Sequence, residues 1–136
     1  MISALVNIDV PDLARAELFY TAALGLTVGR RFGETGVELL GAETPLYLLV
    51  SPAGSAPFTG AAEMRSYERH WTPVHLDFAV EDLDGALARA EAAGARRDLP
   101  VQQHRWGRLA VLSDPFGHGF CLLQFEGRGY DAIATG

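Results

Sequence analysis

The stretch HLDFAVEDLDGALARAEAAGA, residues 75–95, joins an alternating segment directly to an alanine-rich one. In an extended chain, Leu76, Phe78 and Val80 share one side. His75 and Asp77 lie on the opposite side. This alternation predicts a strand that turns an apolar side toward a core and leaves a more polar side for another role.

The second part of the same stretch predicts a helix. Asp82 is placed to cap its N-terminus, and Gly94 can end it in a left-handed conformation. Apolar residues recur between them at helical spacing: Leu83, Ala86, Leu87 and Ala90. A strand followed at once by a helix is therefore predicted.

The same pattern occurs 70 residues earlier in the chain. Segment 4–10 alternates, Pro11 interrupts it, and Asp12 is placed to cap a helix that runs to about Leu24. Four pairs of residues match under this shift: Val10 with Val80, Asp12 with Asp82, Leu13 with Leu83, and Ala16 with Ala86. Such self-similarity predicts an internal duplication.

Three strands are predicted after each helix, so each half reads as strand, helix and three strands. The six strands cover about 27–33, 36–41, 45–50, 98–104, 108–113 and 119–125. We predict one domain, 1–136, divided into a first module (1–50), a linker rich in small residues and proline (51–73), a second module (74–125) and a C-terminal tail (126–136).

Composition excludes several classes of function. A net charge of −6 argues against binding nucleic acid through its phosphates. No apolar run is long enough to span a membrane. The first residues lack the basic and apolar regions of a signal peptide, and the single cysteine, Cys121, allows no internal disulfide. A cytoplasmic protein is expected.

Three stretches together resemble the vicinal oxygen chelate superfamily of glyoxalases, extradiol dioxygenases, fosfomycin-modifying enzymes and bleomycin-binding resistance proteins. They are IDVPDLARAELFYTAALGL (8–26), the stretch 75–95, and LSDPFGHGFCLLQF (112–125). The resemblance implies an α+β fold, in which two tandem βαβββ modules form curled mixed sheets with a cup. It also implies a homodimer, since short chains of this kind often build each cup from two subunits.

The resemblance further implies a metal site in enzyme members, with up to four ligands at equivalent strand positions. Those positions fall on Leu5, Tyr47, His75 and Cys121. Only His75 and Cys121 are ordinary donors, whereas a catalytic zinc normally has three protein ligands. A register slip of two residues would bring in Glu38, Asp77 or His118 instead. We therefore expect no complete metal centre, and no cofactor, although a divalent metal on His75 and Cys121 stays open.

His75 has two interpretations. It is either a polar contact for a ligand in the cup or a sheet histidine satisfied by Asp77 or a backbone carbonyl. For Cys121, packing is favoured over ligation, since free cysteine is commonly buried. Tyr47 occupies a position at which a carboxylate would act as a metal ligand. Its aromatic ring favours stacking on a bound molecule over metal coordination.

Aromatic residues outside the ligand positions also point to a site. Trp71, His104, Trp106 and Arg108 could close over a flat or anionic ligand. Alternatively, both tryptophans are anchors in the core or in a dimer interface.

Three functions follow from these residues. The favoured one is a protein that binds a small organic molecule in the cup. Its predicted ligand-binding residues are His75, Tyr47, Trp106, Cys121, Arg108, Asp77 and Leu5. The alternative is a divalent-metal-dependent lyase, isomerase or dioxygenase, so whether the chain is an enzyme stays open. The third is a protein–protein module whose cup is filled by Trp71, Trp106 and Tyr47.

Overall fold

Two βαβββ modules follow one another in the computed structural model, which describes all 136 residues. The chain divides into two units, Met1–Glu68 and Arg69–Gly136. Each unit contains one module. The predicted α+β fold is therefore confirmed, and both units begin with a strand followed by a helix.

The first unit contains one helix, α1 (Leu13–Leu24), and a mixed four-stranded sheet. Its strands are β1 (Val6–Val10), β2 (Thr27–Phe32), β3 (Gly36–Leu40) and β4 (Leu46–Val50). Their spatial order is β1-β4-β3-β2, with β1 parallel to β4 and the other neighbours antiparallel. Asp12 caps α1 by accepting a hydrogen bond from the Arg15 N–H at 3.1 Å, and Gly25 ends it with φ 67°.

The second unit repeats this arrangement around helix α2 (Leu83–Ala93). Its strands are β5 (Leu76–Ala79), β6 (Arg96–Arg97), β7 (Gln102–His104), β8 (Gly107–Ser113) and β9 (Gly119–Phe125). The order is β5-β9-β8-β6, β7 also pairs with β8, and β5 runs parallel to β9. Asp82 caps α2 through the Gly85 N–H at 3.1 Å, as its position predicts.

The predicted strand 98–104 is wrong in its bounds, because two short strands, β6 and β7, replace it. Pro100 lies between them. Proline has no N–H to donate to a neighbouring strand, and it restricts the residue before it. The edge of the second sheet is therefore divided at this point.

The segment between β4 and β5 contains no helix or strand, only an isolated bridge between His70 and His118. It is nevertheless attached to the first unit. Arg65 pairs with Asp9 at 2.8 Å, and the Tyr67 hydroxyl donates to the carbonyl of Ser51 at 2.5 Å. No helix of the structure is both long enough and apolar enough to cross a membrane.

Candidate functional site

One face of the second sheet packs on α2, and the other does not. Ala110, Leu112 and Leu122 have no exposed surface, and the Gln124 side chain accepts a hydrogen bond from the first N–H of α2 at 2.8 Å. Since side chains alternate along a strand, the odd-numbered residues of β9 face away from α2. They are Gly119, Cys121, Leu123 and Phe125. We call the surface around them the distal face.

Three of the predicted site residues meet in the middle of the distal face. Asp77 is the direct neighbour of Cys121 in the pairing of β5 with β9. The His75 Nδ1 lies 2.9 Å from Oδ1 of Asp77. Both side chains are about one third exposed, at 37% for His75 and 35% for Asp77. Asp77 thus links the histidine to the strand that carries the cysteine.

Cys121 is a protonated thiol at neutral pH. Its residue is 4% exposed, and burial is the main cause that raises the pKa of the thiol to about 12. The negative charge of Asp77 and a hydrogen bond to it act in the same direction. Cys121 is therefore no nucleophile, which agrees with its interpretation as a packing residue.

A tryptophan borders one end of the distal face. The Trp71 ring lies against Gly119 so closely that a Cβ at position 119 would overlap it. The same ring is 4.9 Å from the His75 ring, centroid to centroid, with a 37° tilt. The Arg69 guanidinium also lies near this ring, 5.7 Å from its centroid, and forms an ion pair with Asp98. Trp71 itself stays 44% exposed.

A second tryptophan borders the other end. Trp106 lies in the turn between β7 and β8, where its ring centroid is 6.0 Å from Phe125 and 5.5 Å from Tyr130. His104 stacks on Trp106 at 5.0 Å with only 4° between the rings. Because a strand rises by about 3.3 Å per residue, Gly119 and Phe125 are roughly 20 Å apart. The distal face is therefore bounded by two Trp-His pairs.

Arg108 lies apart from these residues. Its guanidinium pairs with Asp84 of α2 at 2.8 Å, which places it on the α2 side of the sheet. That hydrogen bond raises the pKa of Arg108 and lowers the pKa of Asp84. The alternation along β8 explains this placement, since 108 has the same parity as the buried Ala110 and Leu112.

In the first unit, Tyr47 is bound within a network of its own. Its hydroxyl donates to Oε2 of Glu38 at 3.0 Å, and the Arg30 Nη2 lies 3.2 Å from that hydroxyl. The Arg30 guanidinium also donates to both oxygens of Glu38, at 3.1 and 2.6 Å. These bonds lower the pKa of Glu38 to about 2. Leu5 precedes β1 and is 63% exposed.

Sequence reasoning missed two features of these surfaces. The Arg30 side chain was not selected, although a single glutamate in the apolar strand GVELL signals a buried acid that needs a cationic partner. The contact of Trp71 with Gly119 was missed as well, and its only signal is a glycine inside an otherwise bulky strand.

Comparison with known proteins gives the family. The model of the glyoxalase-like domain matches residues 5–123. The chain belongs to the glyoxalase-like family. This confirms the resemblance to the vicinal oxygen chelate superfamily.

Two curated relatives are considerably longer than this chain. It is 37% identical over 123 residues to the Mycobacterium tuberculosis protein named "Putative glyoxylase CFP32", which covers 85% of the chain and 40% of that relative. It is 32% identical over 135 residues to the anthracycline biosynthesis protein DnrV of Streptomyces peucetius, covering 96% of the chain and 44% of DnrV. The chain thus spans about two fifths of these relatives.

Solved structures share the fold at low sequence identity. TioX from Micromonospora sp. ML1 matches with a TM-score of 0.69 and 19% identity, covering 93% of this chain and 100% of TioX. The fosfomycin resistance protein FosX from Listeria monocytogenes matches with the same TM-score and identity, covering 93% and 96%. These likenesses support the glyoxalase-like fold.

The residues of this glyoxalase-like chain do not fit the divalent metal that the superfamily often binds. Leu5 has no donor atom, the Tyr47 hydroxyl is engaged by Glu38 and Arg30, and the Cys121 thiol keeps its proton. No three His, Cys, Asp or Glu side chains come together in an arrangement that could hold a metal ion. Of the four positions, only His75 offers a ready lone pair.

Proposed function

We propose that this glyoxalase-like protein binds a flat organic molecule on the distal face and needs no divalent metal to do so. The observation that carries the proposal is the pair of indole rings at the two ends of β9, with His75 beside Trp71 and hydrogen-bonded to Asp77. Small-molecule sites commonly combine aromatic walls with a few polar groups that fix orientation.

The distal face offers both kinds of contact. Trp71 is 44% exposed and Tyr130 is 52% exposed, so both rings have free surface for stacking. His75 and Asp77 supply the polar groups, since each side chain is about one third exposed. A flat, polycyclic molecule with a hydroxyl or carbonyl group matches this combination.

The name of one relative supports the same class of ligand. DnrV is named an anthracycline biosynthesis protein. Anthracyclines are flat, fused-ring hydroxyquinones, a chemistry that stacks on tryptophan and hydrogen-bonds to histidine. We further propose that the chain acts in the cytoplasm and forms a homodimer. Light scattering of the purified protein at several concentrations will test the dimer.

Binding is tested with 1,4-dihydroxyanthraquinone, a flat hydroxyquinone. The chain has two tryptophans, so the variants Trp71→Phe and Trp106→Phe each leave one indole to report. We expect saturable fluorescence quenching in both. His75→Ala should weaken binding by about tenfold, as expected for loss of one hydrogen bond and a ring contact.

Leu18→Ala is the matched control, because Leu18 is 72% exposed on α1 in the first unit. Its affinity should equal that of the unchanged protein. Absence of saturable quenching, or unchanged affinity in His75→Ala, contradicts the proposal. About one retained metal ion per chain that His75→Ala abolishes would instead support the metal-dependent lyase, isomerase or dioxygenase.

A further inference from the structure

We infer that His75 and Asp77 act together as a general base that removes a proton from a molecule bound on the distal face. This inference rests on the proposed function, because the base needs a substrate held beside it. It adds an activity: metal-independent proton transfer from a carbon acid. Three features of His75 point to this role: its tautomer, the two contacts that fix its ring, and its free ring nitrogen.

The hydrogen bond to Asp77 fixes the tautomer of His75. An ionised carboxylate only accepts hydrogen bonds, so the proton on the 2.9 Å contact belongs to Nδ1. A neutral imidazole that is protonated on Nδ1 has a lone pair on Nε2. That lone pair can accept a proton.

Nε2 of His75 has no partner within the protein. The ring makes its hydrogen bond through Nδ1 and its ring contact with Trp71, and no other interaction engages it. A histidine with a purely structural role would be stabilised by a hydrogen bond at each ring nitrogen. The free nitrogen is instead available to a bound molecule.

Two contacts hold the ring in place. Asp77 is hydrogen-bonded to its Nδ1, and the Trp71 ring lies against it at 4.9 Å with a tilt of 37°. Asp77 itself lies on β5, paired directly with Cys121 of β9. A fixed base loses less entropy when it meets its substrate, and this is how positioned groups accelerate proton transfer.

The chemistry follows from this geometry. The substrate class is a flat carbon acid, such as an aromatic ketone with a C–H next to its carbonyl. Nε2 takes that proton, the electron pair of the C–H bond becomes the enolate, and Asp77 stabilises the imidazolium. The proton then returns to another atom of the same molecule. The net reaction is an isomerisation, with no oxidant or reductant.

His104 provides a matched comparison within the same sheet. It also stacks on a tryptophan, Trp106, at 5.0 Å. Its Nε2, however, lies 3.2 Å from Oε1 of Gln102, and no carboxylate is paired with its other nitrogen. His104 should therefore not act as a base.

The base is tested with 5-nitrobenzisoxazole, a flat aromatic carbon acid. A base removes its ring C–H proton, the C–H electrons form a nitrile, and the N–O bond opens to a coloured phenolate, so absorbance reports the rate. We expect turnover above buffer, unchanged by EDTA. His75→Ala should lower kcat/KM by about 10²-fold. His104→Ala should lower it far less, and Leu18→Ala, exposed on α1, should leave it unchanged.

Asp77 is tested as the positioning residue. Asp77→Asn removes the charge that stabilises the imidazolium and permits the other tautomer. We expect kcat to fall by at least about tenfold while KM is unchanged, since binding contacts remain. His75→Gln, which keeps a polar side chain, should bind the probe and show no turnover above buffer.

The outcomes separate the two proposals. Quenching of tryptophan fluorescence by the probe without turnover above buffer overturns the general base and leaves the binding proposal intact. Equal rate losses in His75→Ala and His104→Ala also overturn it, as does loss of turnover in EDTA. If the probe neither quenches nor reacts, both proposals fail.

Discussion

The two Trp-His pairs on the distal face differ in how they are held. At the β7–β8 end, Trp106 contacts Phe125 and Tyr130, and Phe125 and Tyr130 contact each other at 4.7 Å. At the other end, Trp71 belongs to a segment without helix or strand and lies on a glycine of β9. One pair is built into an aromatic cluster, and the other rests on the sheet from outside.

This difference assigns different roles to the two ends. His104 has its Nε2 occupied by Gln102, and its tryptophan is half-buried. His75 has a carboxylate on Nδ1 and nothing on Nε2. We therefore expect the Trp106 end to contribute mainly to stability, and the Trp71 end mainly to the proposed binding and proton transfer.

The largest expected effect on stability comes from substituting the glycines that lie under the two Trp-His pairs. A Cβ at Gly107 would overlap the backbone oxygen of Gln124, at a φ of 149°. A Cβ at Gly119 would instead meet side chains, those of Trp71 and Arg69. Gly107→Ala should lower the free energy of unfolding by more than about 3 kcal/mol in a urea titration.

Gly119→Ala should instead reduce stability by about 1 kcal/mol or less, because Trp71 can move away. It should also abolish quenching of Trp71 by the hydroxyquinone. Similar losses of stability in both variants would contradict the view that only the Trp106 end is fixed by the backbone.

The next effect comes from the tryptophans themselves. Trp106→Ala should lower the free energy of unfolding by about 2 kcal/mol, since it removes ring contacts with Phe125 and Tyr130. Trp71→Ala should lower it by less than about 1 kcal/mol, because that ring is 44% exposed. Ligand affinity should show the opposite order. A larger stability loss for Trp71→Ala would reverse the assignment of the two ends.

The modules could be predicted from sequence because their signals are local. The capping aspartates, Asp12 and Asp82, and the glycines after each helix specify where helices begin and end. The same signals occur in both halves of the chain. The division of strand 98–104 is not predicted, because the residues around Pro100 favour one continuous strand. Proline nevertheless has no N–H to donate to a neighbouring strand.

The candidate site could be predicted only in part. His75, Asp77 and Cys121 followed from strand register, which alternation determines. The contacts of Trp71 and Tyr130 depend on how segments without regular structure return to the sheet, and no periodicity records that. Arg108 differs from these residues, because strand parity places it on the α2 side of the sheet, where it pairs with Asp84.

The smallest expected effect is on the reactivity of the Cys121 thiol, which lies between the two Trp-His pairs. Since its pKa is raised to about 12 in the folded protein, the thiolate is scarce at neutral pH. Alkylation by iodoacetamide should therefore be slow at pH 8 and accelerate as the pH rises, whereas a free thiol with a pKa of about 8.5 reacts readily.

The same shift has a consequence for stability. A folded pKa above the unfolded one stabilises the fold fully below about pH 8.5, and this contribution is lost as the pH rises toward 12. Asp77→Asn removes the adjacent negative charge, so alkylation should become faster in that variant than in the unchanged protein. Equal alkylation rates, measured by mass spectrometry, would mean that burial alone protects the thiol. In that case the Asp77 carboxylate would interact with His75 and not with the Cys121 thiol. The proposed link from β9 through Asp77 to the His75 ring would then be absent.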